Sequence, residues 1–183
     1  MAVAYGPTSI AKFGDPTTSG LLGKRYVGCY TNGVPTPALN DPSWFRTATL
    51  QGSTSTVTAL NAFTSSADTY SWMFLGYFKP TTTEIYTFYC TVDDNGQIWI
   101  GDKAISGYDT SNSLLTTTSA GTEFSAAISL IAGKYYPIRI MFGENLGNDY
   151  ITVSFATATI AKTTNGSGYY FGGDSAWNRF GAL

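Results

Sequence analysis

The sequence predicts an all-β chain folded as an antiparallel β-sandwich or barrel, and three observations carry that prediction. The first is strict alternation in EIYTFYCTV (84–92). Ile85, Thr87, Tyr89 and Thr91 fall on one side, and Tyr86, Phe88, Cys90 and Val92 on the other, a period of two in β-branched and aromatic residues. The second is that no amphipathic helical pattern of useful length occurs; the apolar runs are short and end at Gly, Pro, Asn or Asp. The third is composition: 15% aromatic against 12% charged, with 20 glycines in 183 residues, as in a turn-rich sheet protein whose outer faces carry Ser and Thr. A chain of this length fits one ordinary domain and buries a substantial core.

In chain order, residues 1–20 hold Gly6, Pro7, Gly14, Asp15, Pro16 and Gly20 with little periodicity and read as an extended N-terminal arm. LLGKRYVGCY (21–30) gives a first strand, followed by a Gly- and Pro-rich connection through Pro42. Trp44 and Phe45 read as plugs of a core edge. Residues 47–69 are Ser- and Thr-rich and weakly patterned, with room for one or two strands around 55–60. SWMFLGYF (71–78) is a buried-type strand stopped by Lys79-Pro80. The run 84–105 then reads as a hairpin, with Asp93 and Asp94 at its tip and Asn95-Gly96 as the turn dipeptide. Residues 106–122 read as a long loop, and EFSAAISL (123–130) as a strand. YYPIRIMF (135–142) points Tyr136, Ile138, Ile140 and Phe142 inward and Tyr135, Arg139 and Met141 outward, and Pro137 suggests an edge position or a bulge. GENLGND (143–149) is a second acidic loop before the strand YITVSF (150–155). Residues 157–183 form an aromatic C-terminal tail expected to pack on its own domain or on a neighbour. The expected division is thus arm 1–20, sandwich 21–156 and tail 157–183.

Composition also excludes. Histidine is absent, which removes His-based triads and His-ligated metals but leaves hard cations on oxygen ligands open. A net charge of −2 without a basic cluster argues against nucleic acid as a partner. No run is long enough to span a bilayer, and the N-terminus lacks the pattern of a signal peptide. Cys29 and Cys90 read as two buried thiols; paired, they would close a loop of about 60 residues and contribute roughly 4 kcal/mol. No catalytic residue is expected. Adjacent Asp93 and Asp94 cannot flank a glycosidic bond, which needs carboxylates roughly 5–9 Å apart on either side of it.

Two segments carry a family resemblance: LGYFKPTTTEIYTFYCTVDDNGQIWIGDKAI (75–105) and AGKYYPIRIMFGENLGNDYITVSF (132–155). Together they make the span from about Gly20 to Phe155 similar to the PA14 family and to its GLEYA-type lectin-like branch. The resemblance implies a PA14-like β-sandwich. It also implies that Asp93 and Asp94 are joined by a cis peptide and share one Ca²⁺, with Asn145 and the carbonyls of Gly147 and Asp149 completing the shell and sugar hydroxyls filling its open positions. Adjacent strand residues point to opposite faces, so two neighbouring carboxylates meet on one ion only where the chain leaves strand geometry. The bland alternative is that Asp93 and Asp94 are ordinary turn residues.

Two functional readings follow. One is a non-enzymatic structural virion protein, a tailed-phage head decoration, fibre or tail component, docking neighbouring subunits into an oligomeric assembly through its terminal arms and touching surface glycans with its sandwich. The other is a calcium-dependent carbohydrate-binding adhesin module at the surface of a bacterium or fungus. The expected lack of a signal peptide and the aromatic ends favour the first.

Overall fold

Strands with apolar residues on both faces need cover on both faces, and this dictates the layering. The computed structural model describes residue 16 and residues 18–30, 42–117 and 119–172. It contains β1 (Thr18–Ser19), β2 (Leu21–Val27), β3 (Leu50–Val57), β4 (Leu60–Phe63), β5 (Tyr70–Phe78), β6 (Glu84–Asp93), β7 (Asn95–Ile100), a one-turn helix α1 (Asp102–Ile105), β8 (Leu115–Thr117), β9 (Phe124–Leu130), β10 (Tyr136–Glu144), β11 (Tyr150–Ala156) and β12 (Tyr170–Gly172). The strands form two antiparallel sheets, as expected. One runs β1-β12-β5-β10-β7-β8 with β2 and β3 joined to it, and the other runs β4-β11-β6-β9. Among the described residues, no helix is long and apolar enough to cross a membrane.

The small sheet follows the simple pattern. Tyr86, Phe88, Cys90 and Val92 of β6 are fully buried, while Ile85 on the other face is 58% exposed. Every residue of β5 and β10 is buried, because these strands sit in the middle of the large sheet between two apolar clusters. Trp72, Phe74, Phe78, Ile138, Ile140 and Phe142 pack between the sheets. Met73, Leu75, Tyr77, Trp99 and Met141 pack on the outer face, under Phe45, Ala104 and Tyr108. The continuous run SWMFLGYF is therefore apolar for the reason buried central strands usually are.

Several expectations are corrected here. Residues 84–105 are not a hairpin. β6 pairs with β9 and β11, β7 with β8 and β10, so the chain crosses from one sheet to the other at Asp93–Asp94. Pro137 is not on an edge strand, since β10 pairs with both β5 and β7. Its carbonyl accepts from the Gly101 amide. A strand residue's N–H and C=O share one flank, so the missing donor faces the point where β7 has ended and no ladder bond is lost. The weakly patterned segment 47–69 holds two strands, and the loop 106–122 holds β8. Strands at 18–19 and 170–172 carry the large sheet beyond both ends of the expected 21–156 unit, with Tyr170 buried. Residues 173–183 of the tail, including Trp177 and Phe180, lie outside the described residues, as does most of the N-terminal arm. As expected, Cys29 and Cys90 are buried thiols and not halves of a disulfide.

Arg139 is not solvated, and among the described residues it has no ion-pair partner. It is fully buried, donates from Nε to the Ala104 carbonyl at 2.9 Å and lies 4.0 Å from the Tyr108 ring centroid. Burial pulls its pKa down to about 10. A buried charge without a counter-charge adds little to stability and is often replaceable by an apolar residue of similar volume. Arg139→Met is expected to stay within about 1 kcal/mol of the wild type in urea unfolding. Arg139→Ala, which leaves a hole beside Met73 and Tyr108, is expected to cost about 2–5 kcal/mol.

Candidate metal centre

Strand pairing brings five strand ends together at one end of the sandwich. Tyr70, which opens β5, pairs with Glu144, which closes β10. Asn95, which opens β7, pairs with Gly143, and Tyr150, which opens β11, pairs with Asp93, which closes β6. The crossing between the sheets is tied down here. The Asp94 amide donates to the Gly143 carbonyl (3.3 Å), and Asp94 Oδ2 accepts from the Asn145 amide (2.7 Å). Gly143 has to be glycine: a Cβ there would lie 2.6 Å from the Tyr30 ring. The Asp93–Asp94 peptide is cis, as the resemblance implies.

Asp93, Asp94 and Glu144 each present a carboxylate oxygen, all within 4.8 Å of one another. Calcium–oxygen distances of 2.3–2.6 Å separate opposite oxygens of one shell by about 5 Å, so the spacing suits a single ion. The two aspartates are half-buried and Glu144 is fully buried. Among the described residues, neither Glu144 oxygen has a hydrogen-bond partner. Burial, then Asp94, Asp93, Asp149 and Asp68, push the Glu144 pKa up to about 8. Burial and the adjoining Asp94 also raise Asp93. A buried acid with no donor, facing two more acids, is a donor set that suits a hard cation.

The loop residues implied by the resemblance occupy the same end in different ways. The Asn145 amide holds Asp94, while its carbonyl accepts from the Thr69 amide (2.9 Å) and hydroxyl (3.0 Å). Gly147 takes φ +103°, a conformation suited to glycine, and donates to Asp68 (3.2 Å). The Asp149 carboxylate is committed elsewhere: Oδ2 accepts from the Ser65 amide (3.1 Å), the Ser66 amide (2.8 Å) and the Tyr70 hydroxyl (2.7 Å). Burial alone would raise its pKa, but hydrogen bonds from Thr64, Tyr70, Ser65 and Ser66 hold it low. Asp149 thus fastens the β4–β5 loop against the β10–β11 loop.

Glu144, an extra acid of the second loop, stands outside the ligand set that the resemblance implies. Its signal was in the alternation: Tyr136, Ile138, Ile140, Phe142, Glu144 continues one inward stripe and ends it on a carboxylate. A second polar depression, on the outer face of the small sheet, is lined by Glu123, Thr152, Ser154 and Lys162. There Lys162 pairs with Glu123 and covers the Tyr89 ring at 4.2 Å, so its charged groups satisfy each other.

The sequence profile of the GLEYA domain matches residues 70–157. A Schizosaccharomyces pombe protein named for cell agglutination, pfl4, is 26% identical over 179 residues, an alignment covering 86% of this chain and 29% of that protein. The chain therefore spans under a third of that relative's length. Among solved structures, the A domain of epithelial adhesin 6 from Candida glabrata, in complex with Galβ1-3GlcNAc, superposes with a TM-score of 0.70 at 18% identity over 96% of both chains. The epithelial adhesin 9 A domain from the same organism, in complex with Galβ1-4GlcNAc, gives 0.64 at 18% identity, covering 96% of this chain and 99% of the other. The PA14 domain of the antifreeze protein MpAFP gives 0.52 at 18% identity, over 92% and 94%. The chain is a PA14/GLEYA-like β-sandwich, with its GLEYA-matching segment running from β5 through β11.

Proposed function

We propose that this chain is a carbohydrate-binding adhesin domain acting at a cell surface, with Ca²⁺ held at the Asp93–Asp94 end of the sandwich. The observation that carries the reading is the cluster of Asp93, Asp94 and Glu144 within 4.8 Å, with a buried, unpartnered carboxylate. The agglutination-named relative and the glycan complexes of two similar folds support it. Asp93 and Asp94 would hold the ion, with the loop of Asn145, Gly147 and Asp149 beside them. Bound Ca²⁺ would offer open coordination positions to a pair of sugar hydroxyls. The protein's own part is to fix the two carboxylates: the Asn145 amide orients Asp94, and Asp149 locks the neighbouring loops. The domain is read as non-catalytic, because Asp93, Asp94 and Glu144 turn carboxylate oxygens toward one point, whereas a glycosidase pair flanks the bond from either side.

The virion-subunit reading rested on the terminal arms, most of which lie outside the described residues, and none of the relatives named above is a virion component. The adhesin reading is preferred.

The charges that raise the Glu144 pKa are all carboxylates, Asp94, Asp93, Asp149 and Asp68, and they outnumber the nearby cation, Arg25 over the Tyr70 ring. One dication leaves such a surround negative, which disfavours anionic ligands. On an array of immobilised glycans in millimolar Ca²⁺, the chain is expected to bind neutral glycans and to bind their terminally sialylated counterparts at least about tenfold more weakly at low salt. No binding to any glycan in Ca²⁺ counts against the reading.

A further inference from the structure

The third carboxylate gives this site a floor. Glu144 ends the inward stripe of β10, directly after Phe142 in the core between the sheets. It therefore reaches the acidic pair from the core side, whereas Asp93 and Asp94 are half-exposed. Among the described residues neither of its oxygens has a hydrogen-bond partner and no Lys or Arg pairs with it. A wholly buried carboxylate left in this way is costly. Within 4.8 Å of it lie carboxylate oxygens of Asp93 and Asp94, which disfavour its charged form. A cation between the three acids turns all of these penalties into attraction.

We propose that Glu144 is a third anionic ligand that closes the cation site from beneath, making it a three-carboxylate centre. The inference rests on the cation-binding reading above. Two consequences follow from the charge count. Three carboxylates bind a hard dication more tightly than two, since ligand charge sets affinity in oxygen-ligand sites. They also fully neutralise a trivalent ion, so the site takes Tb³⁺ in preference to Ca²⁺. Because Glu144 occupies the core side, the coordination positions facing solvent stay open.

The test is calorimetric titration of the full chain with Ca²⁺, and with Tb³⁺ in competition, for wild type, Glu144→Gln and Glu144→Asp. One Ca²⁺ per wild-type chain is expected. Glu144→Gln should weaken Ca²⁺ binding at least about tenfold and reduce the preference for Tb³⁺, and Glu144→Asp, which keeps the charge, should recover part of the loss. In EDTA, Glu144→Gln should melt no lower than wild type, because a buried acid without a hydrogen-bond donor is replaced by a neutral group of the same shape. If the Gln variant fails to fold, Glu144→Met fills a similar volume without charge and is titrated instead. Unchanged Ca²⁺ affinity in the uncharged variant overturns the inference while leaving the cation reading intact. A wild-type chain that binds no Ca²⁺ overturns both.

Discussion

In millimolar Ca²⁺ the wild-type chain is expected to melt about 5–10 °C higher than in EDTA, and Asp94→Asn is expected to erase that difference. A ligand that binds only the native state stabilises it by about 2.7 kcal/mol at one hundred times its dissociation constant, and a chain of this size gains about 2–4 °C per kcal/mol. Asp94 is the decisive residue because it joins both halves of the site. Its backbone amide is held by Gly143, and one carboxylate oxygen is held by the Asn145 amide. The asparagine variant keeps the shape and removes the charge. Its melting temperature in EDTA should stay close to that of the wild type, which separates loss of the ion from loss of the fold. An Asp94→Asn chain that still gains several degrees from Ca²⁺ would place the ion elsewhere.

Phe78→Ala is expected to have the largest effect on stability of any single core change, about 3–5 kcal/mol, which lowers the melting temperature by about 6–20 °C. The Phe78 ring lies 5.1 Å from both Phe88 and Phe155 and 5.4 Å from Tyr86, so it bridges the two sheets. It also meets Tyr169 at 5.7 Å and Tyr170 at 5.9 Å, which anchors the segment leading into β12. Phe78 ends β5 while Tyr70 begins it at the acidic end, about 26 Å away at ~3.3 Å per residue. The Ca²⁺-dependent rise in melting temperature is therefore expected to survive in Phe78→Ala. Circular dichroism melts with and without Ca²⁺ read both effects in one experiment.

Strand identity was legible wherever a residue's neighbours in sequence determine its environment. The alternation of β6 gives its buried face directly, and the unbroken apolar run of β5 gives a strand buried on both sides. Pairing was less legible. Asn95-Gly96 has the chemistry of a tight turn, yet Asn95 opens β7 opposite Gly143, because tertiary pairing overrides a local turn preference. Arg139 looked outward by alternation, but the sequence does not announce that Phe45, Ala104 and Tyr108 cover that face. The acidic pair and the second loop were legible through the family resemblance. The roles within the loop were not: Asp149 spends its carboxylate on Ser65, Ser66 and Tyr70, and Glu144 supplies the acid that faces Asp93 and Asp94. That exchange depends on which side of β10 each residue leaves.

The central claim is that a cation at the Asp93–Asp94 end makes this sandwich a glycan-binding surface. Its most direct test takes a neutral glycan that the wild-type chain retains and measures binding while Ca²⁺ is removed with EDTA and then restored. The expected result is loss of binding on chelation and full recovery with excess Ca²⁺, with Asp94→Asn unable to bind in either condition. Binding that persists undiminished in EDTA, or in Asp94→Asn, would contradict the claim.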